Sequence, residues 1–484
     1  MSKGKIVKNY IYNTAYQILL VLTPLITSPY LARTLKATSI GIFNYSYSIV
    51  TYFLLFGTLG SSLYAQREIA FYQDDPLKRS KVFFEIIALR FTTVAVSIAV
   101  YLVFVFSVKE YQTVFLILVT ELIATAFDIT WFFQGMEDFK KIVIRNTVFK
   151  IVGIILIFTF IKTPSDLYKY AACFTIPTLI GNLSLWIYLP KYLVKTKVSI
   201  KSVCAYIKPI LLLFLPQIAI EIYTVLDKTM IGKLSVNIEN VAYYTYSQNI
   251  VKVIMQLVTS LGVVMLPAMT NAFAKQKNDE IKKMMANSVK FVFFLGAPMM
   301  FGLAACSKNF VVWFYGDGYS QVSVLMMTIC PVILAIGLST IIGKQYLLPS
   351  RRQTAFTVSV ISGACVNLIL NLILIPRFDA IGASIATVCS EFSVVIIQIC
   401  FIHKDIEILS FIKHNLKYVA LSAIMLAVIY PIAYLLDGFV CTIVQVSAGL
   451  AVYFTSLLLL KDKTVYEAIA LVKEKLPKQK NEQE

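Results

Sequence analysis

Ile40-Gly-Ile-Phe-Asn-Tyr-Ser-Tyr-Ser-Ile-Val50 returns 201 residues later as Val241-Ala-Tyr-Tyr-Thr-Tyr-Ser-Gln-Asn-Ile-Val251. Tyr, Ser, Ile and Val recur in register, and each copy opens a long apolar run. A bilayer crossing needs about 20 mostly apolar residues. By that measure, spans are expected near residues 10–32, 39–63, 82–107, 111–135, 142–161, 167–190, 209–231, 241–267, 288–312, 320–345, 354–376, 380–402, 415–436 and 439–460. The two copies head the second and eighth spans. Six spans lie between them, an even number, so both halves insert with the same orientation. The expected fold is an all-α polytopic membrane protein of about fourteen transmembrane helices. Two pseudo-symmetric six-helix lobes, 1–192 and 209–403, flank a cytoplasmic linker at 193–208. Two extra spans and a basic tail fill 404–484.

Composition agrees with this reading. The 484 residues are 58% hydrophobic and 14% charged, with a mean hydropathy of +0.76. A soluble domain sits nearer half apolar and a quarter charged. The surplus apolar surface must face lipid. The net charge of +18 would suggest nucleic acid in a soluble chain. Here the charge sits in short loops, where it sets orientation. Thirty-two of the 44 Lys and Arg residues fall on the N-terminal side of the membrane and nine on the other. Both termini are therefore expected in the cytoplasm, with a retained first span and no cleaved signal peptide.

Several function classes drop out. The eight Cys are scattered without a C-x-x-C pair, and the two His, His403 and His414, share one polar loop. No metal site or catalytic base is expected from them. There is no G-x-x-x-x-G-K-[ST] loop, so the chain carries no P-loop ATPase, and H-E-x-x-H and G-x-S-x-G are absent. A polysaccharide polymerase or ligase would want a large outer loop, whereas the longest expected here, near 232–241, has about ten residues. No catalytic residue and no cofactor are expected.

Ionisable groups inside spans are costly and therefore functional candidates. Arg90, Lys150 and Asp128 each lie seven or eight residues in from the cytoplasmic side, roughly 10–12 Å deep at 1.5 Å per residue. Glu121, Thr125 and Asp128 are spaced i, i+4, i+7, which places them on one helical face. Glu221 and Asp227 fall on the seventh span, Lys252 on the eighth and Glu391 on the twelfth; Arg33 closes the first. Pro24 and Pro216 interrupt the first and seventh spans, which are repeat partners, and paired breaks point towards a binding site or hinge.

Four stretches resemble a known family. They are Leu22-Thr-Pro-Leu-Ile-Thr-Ser-Pro-Tyr-Leu-Ala-Arg33 running on to Ile40-Gly-Ile, Asp128-Ile-Thr-Trp-Phe-Phe-Gln-Gly-Met-Glu137, Leu226-Asp-Lys-Thr-Met-Ile-Gly232, and Asn371-Leu-Ile-Leu-Ile-Pro-Arg-Phe-Asp-Ala-Ile-Gly-Ala-Ser-Ile-Ala-Thr387. Together they resemble the bacterial polysaccharide-repeat-unit flippases (O-antigen/capsule, Wzx type) of the multidrug/oligosaccharidyl-lipid/polysaccharide exporter superfamily. The sequence departs from that pattern at Lys36, where the family usually has Gly. The resemblance implies alternating access, and a cargo of undecaprenyl-pyrophosphate-linked oligosaccharide moved to the outer leaflet of the bacterial plasma membrane. No covalent bond is broken. Arg33, Arg90, Lys150 and Lys252 are then candidates for the anionic cargo. Glu121, Asp128, Glu221, Asp227 and Glu391 are candidates for pairing or ion coupling. Expected partners are the lipid-linked cargo, membrane lipids, and the polysaccharide polymerase and export machinery. A drug or cation antiporter of the same superfamily and a lipid II flippase are the alternatives; the membrane cations speak against the former.

Overall fold

A computed structural model describes the backbone at residues 3–462 and 465–466, and side chains from residue 19 onward except at 21, 212–220, 222–223 and 263–264. Among the described residues the protein is all-helical. In chain order the helices are α1 (Lys3–Thr58), α2 (Ser61–Phe71), α3 (Pro76–Ser107), α4 (Gln112–Ala126), α5 (Thr130–Gly135), α6 (Phe139–Phe160), α7 (Leu167–Trp186) and α8 (Ile200–Ala205). They continue with α9 (Ile207–Leu234), α10 (Glu239–Ala274), α11 (Asn278–Tyr315), α12 (Ser320–Ile329), α13 (Val332–Thr340), α14 (Gln353–Ile402), α15 (Ile408–Ile429) and α16 (Gly438–Leu459). A π-helical turn, Ile341–Leu347, follows α13.

Eleven stretches among the described residues are long and apolar enough to cross a membrane, against an expected fourteen. The difference lies at three places. Two of the stretches, Leu22–Phe71 and Gln353–Ile402, have 50 residues each. At 1.5 Å per residue that is about 75 Å, more than twice the ~30 Å hydrocarbon core. The first is interrupted at Lys36 (φ 61°) and again at Leu59 and Gly60 (φ 48° and 65°), the second at Asp379 (φ 50°). The third place is the expected seventh span, 209–231, in α9, whose side chains at 212–220 and 222–223 lie outside the described residues. Large apolar side chains such as Leu368, Ile369, Leu372 and Ile373 on α14 are exposed, as a lipid-facing surface requires. The chain is a multi-pass membrane protein.

Local chemistry explains several boundaries. Pro76 opens α3, where its missing N–H is one of the unbonded first-turn groups. Asp75 accepts the N–H groups of Leu77 (3.1 Å) and Lys78 (3.0 Å), and these bonds, the one from Lys78 foremost, hold its carboxyl below the usual value. The expected fourth span, 111–135, is broken instead of continuous. α4 stops at Ala126, and the Asp128 carboxylate accepts the Thr130 N–H (2.9 Å) and hydroxyl, an Asx turn that restarts the chain as α5. Asp128 is therefore past the helix end and does not share the face of Glu121 and Thr125.

The chain packs as two compact units, Met1–Ile250 with Thr357–Ser393 and Val251–Phe356 with Val394–Glu484. In the first unit Trp131, Phe132 and Phe133 are fully buried, with Trp131 stacked on Phe83 at 5.5 Å between ring centroids. The two repeat starts also meet there. The Thr38 hydroxyl donates to Glu239 (2.6 Å), a pair separated by 201 residues, the offset of the repeat.

Two backbone details carry predictions. Lys36 sits in the left-handed region, which costs a side-chain-bearing residue roughly 1–2 kcal/mol. Lys36→Gly should therefore raise the melting temperature of the purified protein. The strain would be denied if the melt were unchanged or lowered. Gly232 packs so closely on Tyr45 that a Cβ would lie 2.1 Å from the ring. Gly232→Ala is expected to cost about 1–3 kcal/mol by overpacking, seen as a lower melting temperature or lower membrane abundance.

A cationic cavity and a buried carboxylate

The first unit encloses a cavity of about 410 Å³ between α1, α6, α7 and the facing parts of α9 and α10. Residues Asn146, Lys150, Gly153 and Ile157 form its α6 wall. Their spacing, i, i+4, i+7, i+11, is one stripe of a helix. Arg145 and Phe149 flank that stripe; Phe43, Tyr47, Tyr170 and Phe174 provide aromatic surface from α1 and α7. Pro24 and Pro177 also line the cavity. Lacking an N–H, each leaves the carbonyl four residues earlier, at Leu20 and Cys173, without its helical donor. Both of those residues lie at the cavity too. Pro216 lies outside the described side chains.

Three cations line this space, Arg145, Lys150 and Lys228, and no Asp or Glu is among the lining residues. Arg145 is braced: its guanidinium donates to Asn182 Oδ1 (2.8 Å) and Thr130 Oγ1 (2.7 Å). Lys150 makes no hydrogen bond or ion pair with a described residue. Its electrostatic neighbour is Glu121, itself buried, with Oε2 lacking a hydrogen-bond partner. An ammonium in such a place favours an anion.

The other expected residues separate. Arg90 is buried, donates to Ser62 Oγ (3.2 Å) and has Asp128 as its electrostatic neighbour; it does not line the cavity. Although their equal depth would let Arg90, Lys150 and Asp128 meet, they fall in two neighbourhoods, Arg90 with Asp128 and Lys150 with Glu121. Arg33 is exposed beyond the cavity, Glu221 and Glu391 are half-buried, and Lys252 is exposed in the second unit. Arg145 and Lys228 are not among the residues expected from the sequence to meet the cargo, because each lies near the end of an expected span. The polar stripe through Asn146 and Lys150 was the available signal. Glu85, buried on α3 and accepting from the Tyr206 hydroxyl (3.1 Å), was also passed over, although an acid in an apolar run is signal enough.

Asp227 has a different setting. It is 3% exposed. Its carboxylate accepts from Asn371 Nδ2 (2.7 Å), Thr387 Oγ1 (2.8 Å) and the Tyr244 hydroxyl. Asn371 also donates to Asn367 Oδ1 (2.9 Å), and Gln248 donates to the Tyr244 hydroxyl (2.8 Å). No Lys or Arg among the described residues pairs with Asp227. Asn371 and Thr387 are the two ends of the fourth family-like stretch, and Asp227 belongs to the third. Residues 144 and 160 apart in sequence become one buried polar cluster.

Known proteins resemble this chain in sequence and fold. The family model described as "Polysaccharide biosynthesis protein" matches residues 6–273. A "Putative O-antigen transporter" of Escherichia coli is 23% identical over 403 residues, covering 82% of this chain and 97% of that protein. The lipid II flippase MurJ of Bacillus subtilis is 24% identical over 236 residues, covering 46% of this chain and 43% of that protein. Among solved structures, lipid II flippase MurJ in an inward closed conformation superposes with a TM-score of 0.74 at 17% identity, over 94% of this chain and 99% of that one. An inward-facing multidrug resistance transporter of the multidrug/oligosaccharidyl-lipid/polysaccharide exporter superfamily reaches 0.61 at 11% identity, over 81% and 99%. The match of that family model over more than half of the chain places it in the polysaccharide biosynthesis protein family.

Proposed function

We propose that the protein is a flippase that moves an undecaprenyl-pyrophosphate-linked oligosaccharide repeat unit from the cytoplasmic to the outer leaflet of the bacterial plasma membrane. The single observation that carries this reading is the acid-free cavity holding Arg145, Lys150 and Lys228. A diphosphate needs compensating cations when it leaves water, and its polyprenyl tail can stay in lipid. The aromatic faces of Tyr47 and Tyr170 suit the sugar. An exporter of cationic drugs would want acids there, which argues against the antiporter alternative. A lipid II cargo would change the sugar and leave the mechanism in place. The residues act by binding and release, without bond chemistry.

Transport proceeds by alternating access between the lobes 1–192 and 209–403, with both termini in the cytoplasm. Lys150 is the principal contact for the diphosphate, supported by Arg145 and Lys228. Arg33 and Lys252, both exposed, are further contacts along the cargo's path. Arg90 holds α2 to α3 through Ser62. Glu121 balances Lys150 when cargo is absent. Asp227 is the coupling group, taking up a proton or a monovalent cation. Glu221 and Glu391 are secondary candidates for that role. Polymerase and export machinery take up the delivered units.

Gene deletion followed by analysis of surface polymer and lipid-linked intermediates tests the function. Loss of surface polymer with accumulation of lipid-linked units is expected. Intact polymer with heightened sensitivity to cationic dyes would instead identify a drug exporter.

A further inference from the structure

The second unit holds a separate cavity of about 640 Å³, within the range of small-molecule sites. It lies where α10 ends, α11 begins and α14 both starts and finishes. These are ends of helices longer than the roughly 20 residues a span needs, so the cavity lies outside the hydrocarbon core. Lys282, Arg351 and Arg352 line it with one acid, Asp405. Arg352 donates to that acid (2.5 Å) and to the Phe401 carbonyl (3.3 Å). Asp405 is thereby neutralised. Lys282 and Arg351 make no side-chain hydrogen bond or ion pair with a described residue, so two positive charges are left over. Asp279 and Glu280 share the first turn of α11, but neither lines the cavity, and Lys277 holds Glu280 (2.8 Å).

Two further features point to a lipid in place of a free ion. Phe273, Ile281 and Ile406 give the cavity an apolar side, of no use to inorganic phosphate and suited to a glycerol backbone. Arg351 occupies a left-handed backbone position (φ 61°), where glycine would be unstrained. The guanidinium is kept at a site whose backbone disfavours it, a pattern found at ligand sites.

We infer that this cavity binds the headgroup of an anionic phospholipid, with Lys282 and Arg351 meeting the phosphate. Basic pockets between spanning helices at the inner surface serve this purpose in general. The site is distinct from the cationic cavity of the first unit and stands whether or not the flippase reading does.

The test uses the full-length protein purified in detergent. Its melting temperature is followed while dioleoyl-phosphatidylglycerol, dioleoyl-phosphatidylcholine or sodium phosphate is added at matched ionic strength. Phosphatidylglycerol should raise the melting temperature saturably, and the other two should not. Lys282→Ala with Arg351→Ala should weaken the apparent affinity roughly 25-fold, about fivefold for each cation. The pair Lys275→Ala with Lys283→Ala, removing equal charge outside the cavity, should leave it unchanged. Arg351→Gly provides a variant that cannot fail through backbone strain: it should melt higher without lipid and respond less to phosphatidylglycerol. An equal response to phosphatidylcholine overturns the inference, as does an undiminished response in the cavity variants or an equal loss in the control pair. A shift produced by sodium phosphate alone would assign the cavity to a soluble anion and likewise overturn it.

Discussion

Cells relying on a Lys150→Glu variant are expected to build lipid-linked repeat units and display almost none of them. The reversal puts a carboxylate into a cavity whose lining holds no acid and beside the buried Glu121. The diphosphate of the proposed cargo then meets repulsion where it needs compensation. Removing one partner of a desolvated charge pair costs about 2–5 kcal/mol, so Lys150→Ala alone should lower transport by a factor between roughly 30 and several thousand. Lys150→Arg should retain much of the activity, because the charge and its reach survive. Quantified surface polymer, lipid-linked intermediates and membrane abundance of the variant decide the matter together. Normal display by an abundant Lys150→Glu protein would remove this cavity as the cargo site.

The second large effect is expected at Asp227. Asp227→Asn keeps the shape of the side chain and discards its charge. The amide oxygen can keep the Asn371 bond while the Thr387 and Tyr244 hydroxyls turn to accept from the amide nitrogen, so the variant should fold and reach the membrane. With Asp227 as the proposed coupling group, its transport should respond less than the wild type's to an imposed ion gradient. Asp227→Ala is a harsher change. It removes three hydrogen bonds and leaves one N–H of the Asn371 amide without its acceptor in a buried site, at about 1–3 kcal/mol, and should also lower stability. The two variants separate coupling from structure. Proteoliposomes carrying imposed proton or sodium gradients provide the assay. An Asp227→Asn protein as gradient-sensitive as the wild type would exclude Asp227 as the coupling group.

The candidate site was partly legible beforehand. Lys150 and Asp227 stand out because an ionisable residue inside an apolar run has no cheap explanation. Arg90 stands out for the same reason, yet is buried against Ser62 and away from the cavity; depth along a helix says nothing about azimuth. Arg145 and Lys228 were masked by position, since a cation near a span end reads as an interfacial anchor. Asp128 was misplaced because residue spacing assumes an unbroken helix, and its own carboxylate makes the break.

Span lengths, the surplus of apolar surface, the bias of basic loops and the 201-residue repeat belong to the sequence alone. They are sums and periods along a chain in a bilayer, and they need no knowledge of neighbours. The meeting of Asp227 with Asn371 and Thr387, the acid-free lining around Lys150 and the left-handed turns at Lys36 and Asp379 came only from the tertiary structure. Those depend on how far each helix is rotated about its own axis and where it bends. Packing against distant helices sets that rotation, and one hydrogen bond at a turn can set the bend.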